Sequence, residues 1–533
     1  MMPTLPAMTD PVRLEIYRHL MTALAEEMGA TLRRSAYSPN IKERRDYSCA
    51  LFDAAGDPVA MGDHMPVHLG AMPMSVRAAL DERGPLEPGD VVALNDPFRG
   101  GTHLPDITLV EAVPRPGSRD AVAYVAARAH HADVGGMAAG SMPLAREIYQ
   151  EGLRIPPVRL VAGGRRVEDI WRTVLANVRT PAERAGDLDA QLAALVAGRR
   201  RLEELMARRG VEEVESAMAG LLRYADRLLR AGIERIPDGV YEAEDTMEGD
   251  GVTEDPLAIR VRLTVAGDEV EADFSDTSPQ ARGGINAVAA ITASATRYAL
   301  RVVVERLLGQ PLPAGGGAMD ALRLVLPPGT LLSARPPASV AGGNVETSQR
   351  ITDVLLLALA RAIPEIAAAQ SQGTMNNLTV GGIDPRTGAP FAYYETMGGG
   401  MGGGADGPGL SGVHVHMTNS LNTPVEALEH AYPLRVRAYG IRRGTGGAGR
   451  HAGGDGLRRE LELLADGDIS LLTERRRVAP RGFDGGGDGA RGRNTLIRAG
   501  EERGLPTKVT LAARAGDRLR IESPGGGGWG APG

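Results

Sequence analysis

The chain holds a single cysteine, Cys49, in 533 residues. One thiol builds neither a disulfide framework nor a multi-thiolate metal site. No apolar run reaches the roughly 20 residues that span a bilayer. The N-terminus lacks the basic segment and following apolar run of a secretion signal, so a cytoplasmic protein without a membrane partner is expected. Net charge is −7, and Lys and Arg are scattered rather than gathered in a stripe. The electrostatic footprint of a nucleic-acid binder is therefore missing. No G-x-x-x-x-G-K-[ST] loop occurs, and the glycine clusters do not fall at strand-to-helix turns in dinucleotide-binding spacing. No G-x-S-x-G elbow supports a serine hydrolase. Aromatic residues make up only 4%.

What is abundant is glycine, at 70 residues, with 36 prolines. Without a collagen-like period, that much glycine implies tight turns and close backbone approaches. Clusters fall at 398–404, 484–487 and 525–528. The run Met397–Gly404 has the composition to cradle an anion, but a flap-like loop is the more economical reading. Hydrophobic residues at 43% and charged residues at 24% are ordinary globular values, and the length calls for two or more domains.

Asp10-Pro11 reads as a helix start, a cap followed by a proline at the first helical position. Leu14, Tyr17, Leu20, Met21, Leu24 and Met28 then recur at helical spacing. Strands are expected near 47–52, 91–94, 107–113 and 121–129, with a helix near 71–83. From 181 to 236 Leu, Ala, Glu and Arg dominate, predicting two long helices broken at Arg209-Gly210, a spacer or an oligomer contact. Antiparallel strands over 239–275, helices near 287–308 and 345–362, and a strand pair over 376–395 follow, then a glycine- and strand-rich end. The expected fold class is a large mixed α+β protein in several domains: a turn-rich mixed domain over 1–180, a helical hairpin insertion over 181–236, a middle α/β domain over 237–396 and a β-rich, Gly-rich domain over 397–533.

Histidine is scarce, yet five of the ten lie between His64 and His131. The segment Asn95 to Asp106 follows a predicted strand, a common address for active sites. On a straight strand His103 and Asp106 would face opposite ways. Pro105 opposes a regular ladder and favours a turn, which can bring the imidazole and the carboxylate onto one centre. By spacing alone the pair reads at least as readily as a turn with a hydrogen-bonded His–Asp pair. His130-His131-Ala132-Asp133 sits at another predicted strand end. Adjacent strand residues face opposite ways, so at most one of the two histidines can be a metal ligand, with the other, or Asp133, orienting it; by itself the segment reads equally as a polar strand end ahead of a Gly turn. Asp46 closes the charge run Lys42 to Asp46, usually solvated surface, but also begins a strand and can reach inward. Two imidazoles with two carboxylates make a nitrogen/oxygen site suited to Zn²⁺, Mn²⁺ or Fe²⁺. His64 and His68 could line the pocket, though core or turn histidines are the more economical reading. His414 and His416 alternate, which places both on one face of a strand without a nearby carboxylate in sequence. Cys49 reads as an inert core residue.

Several segments together resemble the hydantoinase B/oxoprolinase family, which includes the B-type subunits of N-methylhydantoinases and relatives in acetone carboxylases. They are Glu43 to Ser48, Asn95 to Asp106, His130 to Gly136, Gly140 to Pro143, Gly342 to Arg350, Gln372 to Asn377, Asn422 to Glu426 and the tail Pro524 to Gly530. The resemblance implies a hetero-oligomer in which a hydantoinase A-type partner binds ATP and phosphorylates the carbonyl of a small cyclic amide. It implies that this chain carries the divalent metal, zinc or manganese and alternatively iron. The ligands it implies are Asp46, His103, Asp106 and one of the 130/131 pair, with His130 favoured. His131 or Asp133 would orient a ligand or shuttle a proton. Metal-activated water would open the ring. A subunit of an ATP-dependent acetone-type carboxylase and a non-catalytic scaffold subunit are the rival expectations.

Overall fold

A computed structural model of the chain describes residues 8–533 apart from 63, 314 and 316–319. The N-terminal helix, Pro11–Ser35, starts as its sequence requires. The Asp10 carboxylate accepts from the Val12 and Arg13 amides, and Pro11 occupies the first turn. Leu14, Tyr17, Met21, Leu24 and Met28 form its buried stripe, whereas Leu20 is exposed.

That helix packs on a seven-stranded antiparallel sheet. In chain order the strands are β1 (Tyr47–Asp53), β2 (Pro58–Met61), β3 (Val91–Leu94), β4 (Asp106–Pro114), β5 (Ala121–His130), β6 (Val158–Ala162) and β7 (Arg165–Arg166), arranged β2-β1-β5-β4-β3-β6-β7. Both faces are covered. Cys49 and Leu51 point into the core shared with the N-terminal helix, and Ala50 and Phe52 into a second core under the helix Met72–Arg83. This explains why β1, β4 and β5 read as nearly continuous apolar runs rather than alternating ones.

The expected helix pair forms over Pro181–Arg209 and Val211–Ile233. It is not a spacer, because the first helix lies against the same sheet. Its Gln191 amide donates to the Ile107 and Ala127 carbonyls at 3.0 Å each. A Cβ on Gly198 would come within 2.4 Å of Met28 Sδ, so glycine is what permits the close helix–helix crossing.

A second sheet holds β8 (Gly239–Met247), β9 (Leu257–Ala266), β10 (Glu269–Asp273) and β11 (Leu322–Val325), with helices over Ala289–Leu308 and Glu346–Ala362. A third pairs β12 (Asn377–Ile383) and β13 (Pro390–Glu395) with strands from the last quarter of the chain. With β14 (Leu434–Arg442), β15 (Gly456–Leu463), β16 (Gly467–Leu472), β17 (Arg493–Arg498), β18 (Glu501–Leu505), β19 (Lys508–Ala513) and β20 (Arg518–Glu522), the orders are β13-β12-β16-β19 and β14-β15-β20-β17-β18. The division expected at 397 thus falls inside one hydrogen-bonded sheet.

The glycine clusters are not flaps. They stack on one another as a backbone core. Gly400 N donates to Pro524 O, Gly403 N to Gly527 O, Gly454 N to Met401 O and Gly528 N to Gly487 O, at 2.8–3.0 Å. A Cβ on Gly400 would lie 2.0 Å from Gly454 O and 2.1 Å from Gly526 N. Only glycine allows these segments to pair so closely.

Candidate metal centre

β3 delivers the chain into the loop 95–105. The Asn95 side chain pins that loop, donating to the Leu104 carbonyl at 2.7 Å and accepting from the Ile155 amide at 2.6 Å. Gly100, at φ 83°, folds the loop back where a Cβ would meet Met74 O at 2.5 Å. Pro105 then ends the turn. Its carbonyl accepts from the Ile107 and His131 amides at 3.1 and 2.8 Å, and β4 begins at Asp106.

In the ladder between β4 and β5, Asp106 stands directly opposite His130. One strand further, the His130 amide donates to the Asp46 carbonyl at 3.0 Å. Residue 46, just ahead of β1, thus stands in a row with 130 on β5 and 106 on β4, and His103 reaches the row from the Pro105 turn. His103 Nε2 lies 3.1 Å and His130 Nδ1 3.4 Å from Asp106 Oδ1. All three side chains are essentially inaccessible to solvent. Each can offer one ligand atom such that the three atoms lie within 4.8 Å of one another.

His103 Nδ1, Asp106 Oδ1 and His130 Nε2 are buried without a hydrogen-bond partner in the described structure. Orphaned buried polar atoms are costly, and each of the three clustered residues carries one that a bound cation could satisfy. Burial alone would raise the Asp106 carboxyl, but His103 and His68 beside it reverse that and hold it well below the usual carboxylate range. Burial pushes His68 and His130 below the ordinary imidazole value. The arrangement places a carboxylate among imidazoles, the donor types of a nitrogen/oxygen metal site.

The family model for hydantoinase B/oxoprolinase matches residues 10–532. The chain belongs to this family. It is 40% identical to 5-oxoprolinase 1 of Arabidopsis thaliana over 98% of its own length, but spans 42% of that protein. It is 30% identical to the B-type subunit of a putative D-/L-hydantoinase of a Pseudomonas species, with 98% and 90% of the two chains covered. Among solved structures, it is similar to an ATP-dependent caprolactamase from Pseudomonas jessenii, with a TM-score of 0.90 and 30% identity over 98% and 91% of the two chains. An acetone carboxylase superposes with a TM-score of 0.87 at 18% identity, over 98% and 76% of the two chains, a likeness of fold.

In this hydantoinase B/oxoprolinase chain the remaining expected site residues are placed differently. Asp46 is buried beside the centre, and its negative charge reaches His68 and His130. Its carboxylate stays outside the close cluster formed by His103, Asp106 and His130. His131 points to the opposite face of β5, as strand alternation requires, and its Nε2 lies 2.9 Å from Gln191 Oε1. Burial drives that imidazole down to about 4. Asp133 accepts from the Arg179 backbone amide at 2.7 Å and from its guanidinium at 2.8 Å. Neither His131 nor Asp133 is among the residues that converge on the centre.

Four other residues do reach it. His68 Nε2 lies 3.4 Å from Asp106 Oδ2, and its Nδ1 lies 2.9 Å from Ser48 Oγ on β1. Of the two readings open for His68, lining the pocket or filling a core or turn, its place fits the first. Thr102 Oγ1 donates to Asp106 Oδ2 at 2.7 Å. Asn344 Nδ2 lies 3.0 Å from His103 Nε2. The Tyr394 ring stacks on His130, with centroids 4.4 Å apart. Thr102 and Asn344 belong to segments that carried the family resemblance, His68 to the histidine concentration between 64 and 131; Tyr394 had no local signal.

His414 and His416 are not on a strand. His416 has φ 56°, in the left-handed region, which breaks the alternation. Cys49 is buried, and desolvation lifts its thiol far above its ordinary range, as an inert core residue requires. No helix among the described residues is long and apolar enough to cross a membrane.

Proposed function

We propose that this chain is the metal-bearing half of an ATP-dependent cyclic amide hydrolase. The observation that carries the reading is the set of orphaned donor atoms on His103, Asp106 and His130. The donor set fits zinc or manganese, with iron as the next choice. His103, Asp106 and His130 would hold the ion, and Asp46, buried beside them but outside the close cluster, would join only by moving its carboxylate inward. When bound, such an ion supplies Lewis acidity and brings the pKa of water to about 7.

An unstrained amide is a poor electrophile. A hydantoinase A-type partner would therefore consume ATP to phosphorylate the carbonyl oxygen, making it a leaving group. The relative named as the B-type subunit of a hydantoinase supports a partnered, hetero-oligomeric arrangement. Thr102 fixes the Asp106 carboxylate, and Asn344 fixes the His103 ring. His68, neutral and beside Asp106, is positioned to hold a proton at Nε2. His131 and Asp133 act as positioning residues, tying the end of β5 to Gln191 and Arg179.

Coexpression with an A-type partner tests the reading. ATP consumption is screened with lactams, hydantoins and 5-oxoproline, and with a ketone plus bicarbonate. Consumption coupled to ring opening is expected. Consumption only with the ketone and bicarbonate would make the chain a carboxylase subunit. A purified chain without stoichiometric metal would make it a scaffold.

A further inference from the structure

A histidine ring turns easily about its last side-chain bond, because that torsion is broad and two-fold. Metal-binding imidazoles are usually held by a hydrogen bond at one ring nitrogen. His103 has such a holder in Asn344, whose Nδ2 lies 3.0 Å from its Nε2. His130 has none outside the centre. Its Nδ1 faces Asp106 Oδ1 at 3.4 Å, and its Nε2 has no partner in the described structure. What meets this ring instead is a face. Tyr394, on β13, stacks on it with centroids 4.4 Å apart and planes inclined by 15°.

The Tyr394 ring is itself fixed at its far end. Its hydroxyl donates to Asn377 Oδ1, on β12, at 3.0 Å. The Asn377 amide can face only one way. Its Nδ2 donates to Glu346 Oε1 at 2.8 Å and to the Leu472 carbonyl at 3.1 Å, and both of these only accept. Glu346 Oε1 also accepts from the Met375 amide at 2.9 Å, which ties the carboxylate to the segment ahead of β12. Arg44 adds a second support. It donates to the Tyr394 carbonyl at 3.1 Å, and its guanidinium lies 4.8 Å from the ring centre. Glu346, Asn377 and Tyr394 are all buried.

A phenylalanine at 394 would fill the same space with no polar atom to satisfy. Burying a hydroxyl, an amide and a carboxylate in line carries a desolvation cost. What a hydrogen-bonded line provides is a fixed orientation. This line ends at a telling place. Glu346 is the first residue of the helix Glu346–Ala362, and Asn344 lies two residues before it. Residues 344 and 346 therefore reach both imidazoles, His103 directly and His130 through Asn377 and Tyr394. They lie outside the seven-stranded sheet and the Pro105 turn that carry the donors, so the aim of the two rings is set from a separate part of the fold.

We propose that the entry to this helix is a two-armed clamp on the metal centre. Asn344 holds the plane of His103, and Glu346, through Asn377 and Tyr394, holds the plane of His130. Glu346, Asn377 and Tyr394 are positioning residues and do not belong to the donor cluster. The assignment rests on the metal reading of His103, Asp106 and His130.

The test loads the full chain with Co²⁺. Chelator competition reads affinity, and visible absorption reads the ligand geometry. Tyr394→Leu removes the stack, whereas Tyr394→Phe and Glu346→Ala cut the line at its two ends. Affinity should fall about 10- to 100-fold in the first and about tenfold in each of the others. The absorption should change while the stoichiometry does not. Glu346→Gln keeps an oxygen for Asn377 and Met375 and should hold both readouts at their wild-type values. Because the two cuts break one line, Tyr394→Phe combined with Glu346→Ala should lower affinity about tenfold, not about a hundredfold. Asn344→Ala combined with Tyr394→Phe should multiply, since the two free different rings. Melting temperatures of the metal-free variants separate lost folding from lost aim. Should Glu346→Ala fail to fold, Asn377→Leu, close in size, takes its place in the cycle. Unmoved affinity and absorption in Tyr394→Leu, or independent effects of the two cuts, overturn the clamp. If the wild-type chain then still binds Co²⁺ and His103→Ala does not, the metal reading stands without the clamp. A wild-type chain that takes up no Co²⁺ overturns both.

Discussion

Asp106 and His130 are direct cross-strand partners in the β4–β5 ladder, with Nδ1 and Oδ1 3.4 Å apart. Opposed residues of an antiparallel pair project from the same face about 5 Å apart. The sheet register itself therefore aims these two donors at one point, and the Pro105 turn adds His103.

Removing a donor should remove the metal. Asp106→Ala and His130→Ala are each expected to lower metal affinity by about a hundredfold or more, with turnover falling in step. Metal analysis after gel filtration reads the first effect, and ATP-coupled ring opening reads the second.

Thr102 tests the layer behind the ligands. Its hydroxyl donates to Asp106 Oδ2, so Thr102→Val leaves the ligands in place but frees the carboxylate to turn. Metal affinity should fall about 10- to 100-fold, with the melting temperature of the metal-loaded protein little changed. A titration with a competing chelator measures it.

Much of this centre was legible in the sequence because it is local. The Pro105 turn and the strands around Asp106 and His130 are each written in a few consecutive residues. His68 was legible only as a residue that could line the pocket, since it takes the fold of residues 66–69 under Ser48 of β1 to bring it to Asp106. Asp46 could reach inward by its place at the start of a strand. It is buried beside the centre, but a position just ahead of β1 does not fix how closely its carboxylate approaches. The glycine clusters misled for a related reason. A single glycine run looks like a flexible loop, and only its pairing with Gly454, Gly526 and Gly527 makes it a core. The alternation of His414 and His416 imitated a strand, because sequence pattern is blind to the left-handed turn at His416. The helix pair after 181 was found by periodicity, but its packing on the sheet depends on Gly198 and Gln191 meeting partners far away in the chain.

The glycine core predicts a sharp contrast. Gly400→Ala forces a Cβ onto Gly454 O and Gly526 N and should cost about 3 kcal/mol or more. Gly504→Ala, on the edge strand β18 with nothing within 4 Å of the added carbon, should change stability by less than about 0.5 kcal/mol. Denaturant unfolding of the two variants measures the difference.

His416 makes the fold acid-sensitive in a defined window. Burial lowers its pKa from 6.5 to about 4; Asp353 lies 3.9 Å from it and the Tyr298 ring meets it edge-on. A base whose folded pKa is depressed contributes stability that is full above 6.5 and is lost as pH falls from there to about 4. His416→Asn, which tolerates the left-handed backbone, should flatten that loss by on the order of 2 kcal/mol. Unfolding free energies at pH 7.0 and pH 4.5, compared between the two proteins, read the effect.

The most direct measurement is the divalent metal content of the purified chain and of its Asp106→Ala variant, by elemental analysis. One ion per chain that disappears in the variant is the predicted result. A chain without stoichiometric metal, or a variant that retains it, would contradict the account.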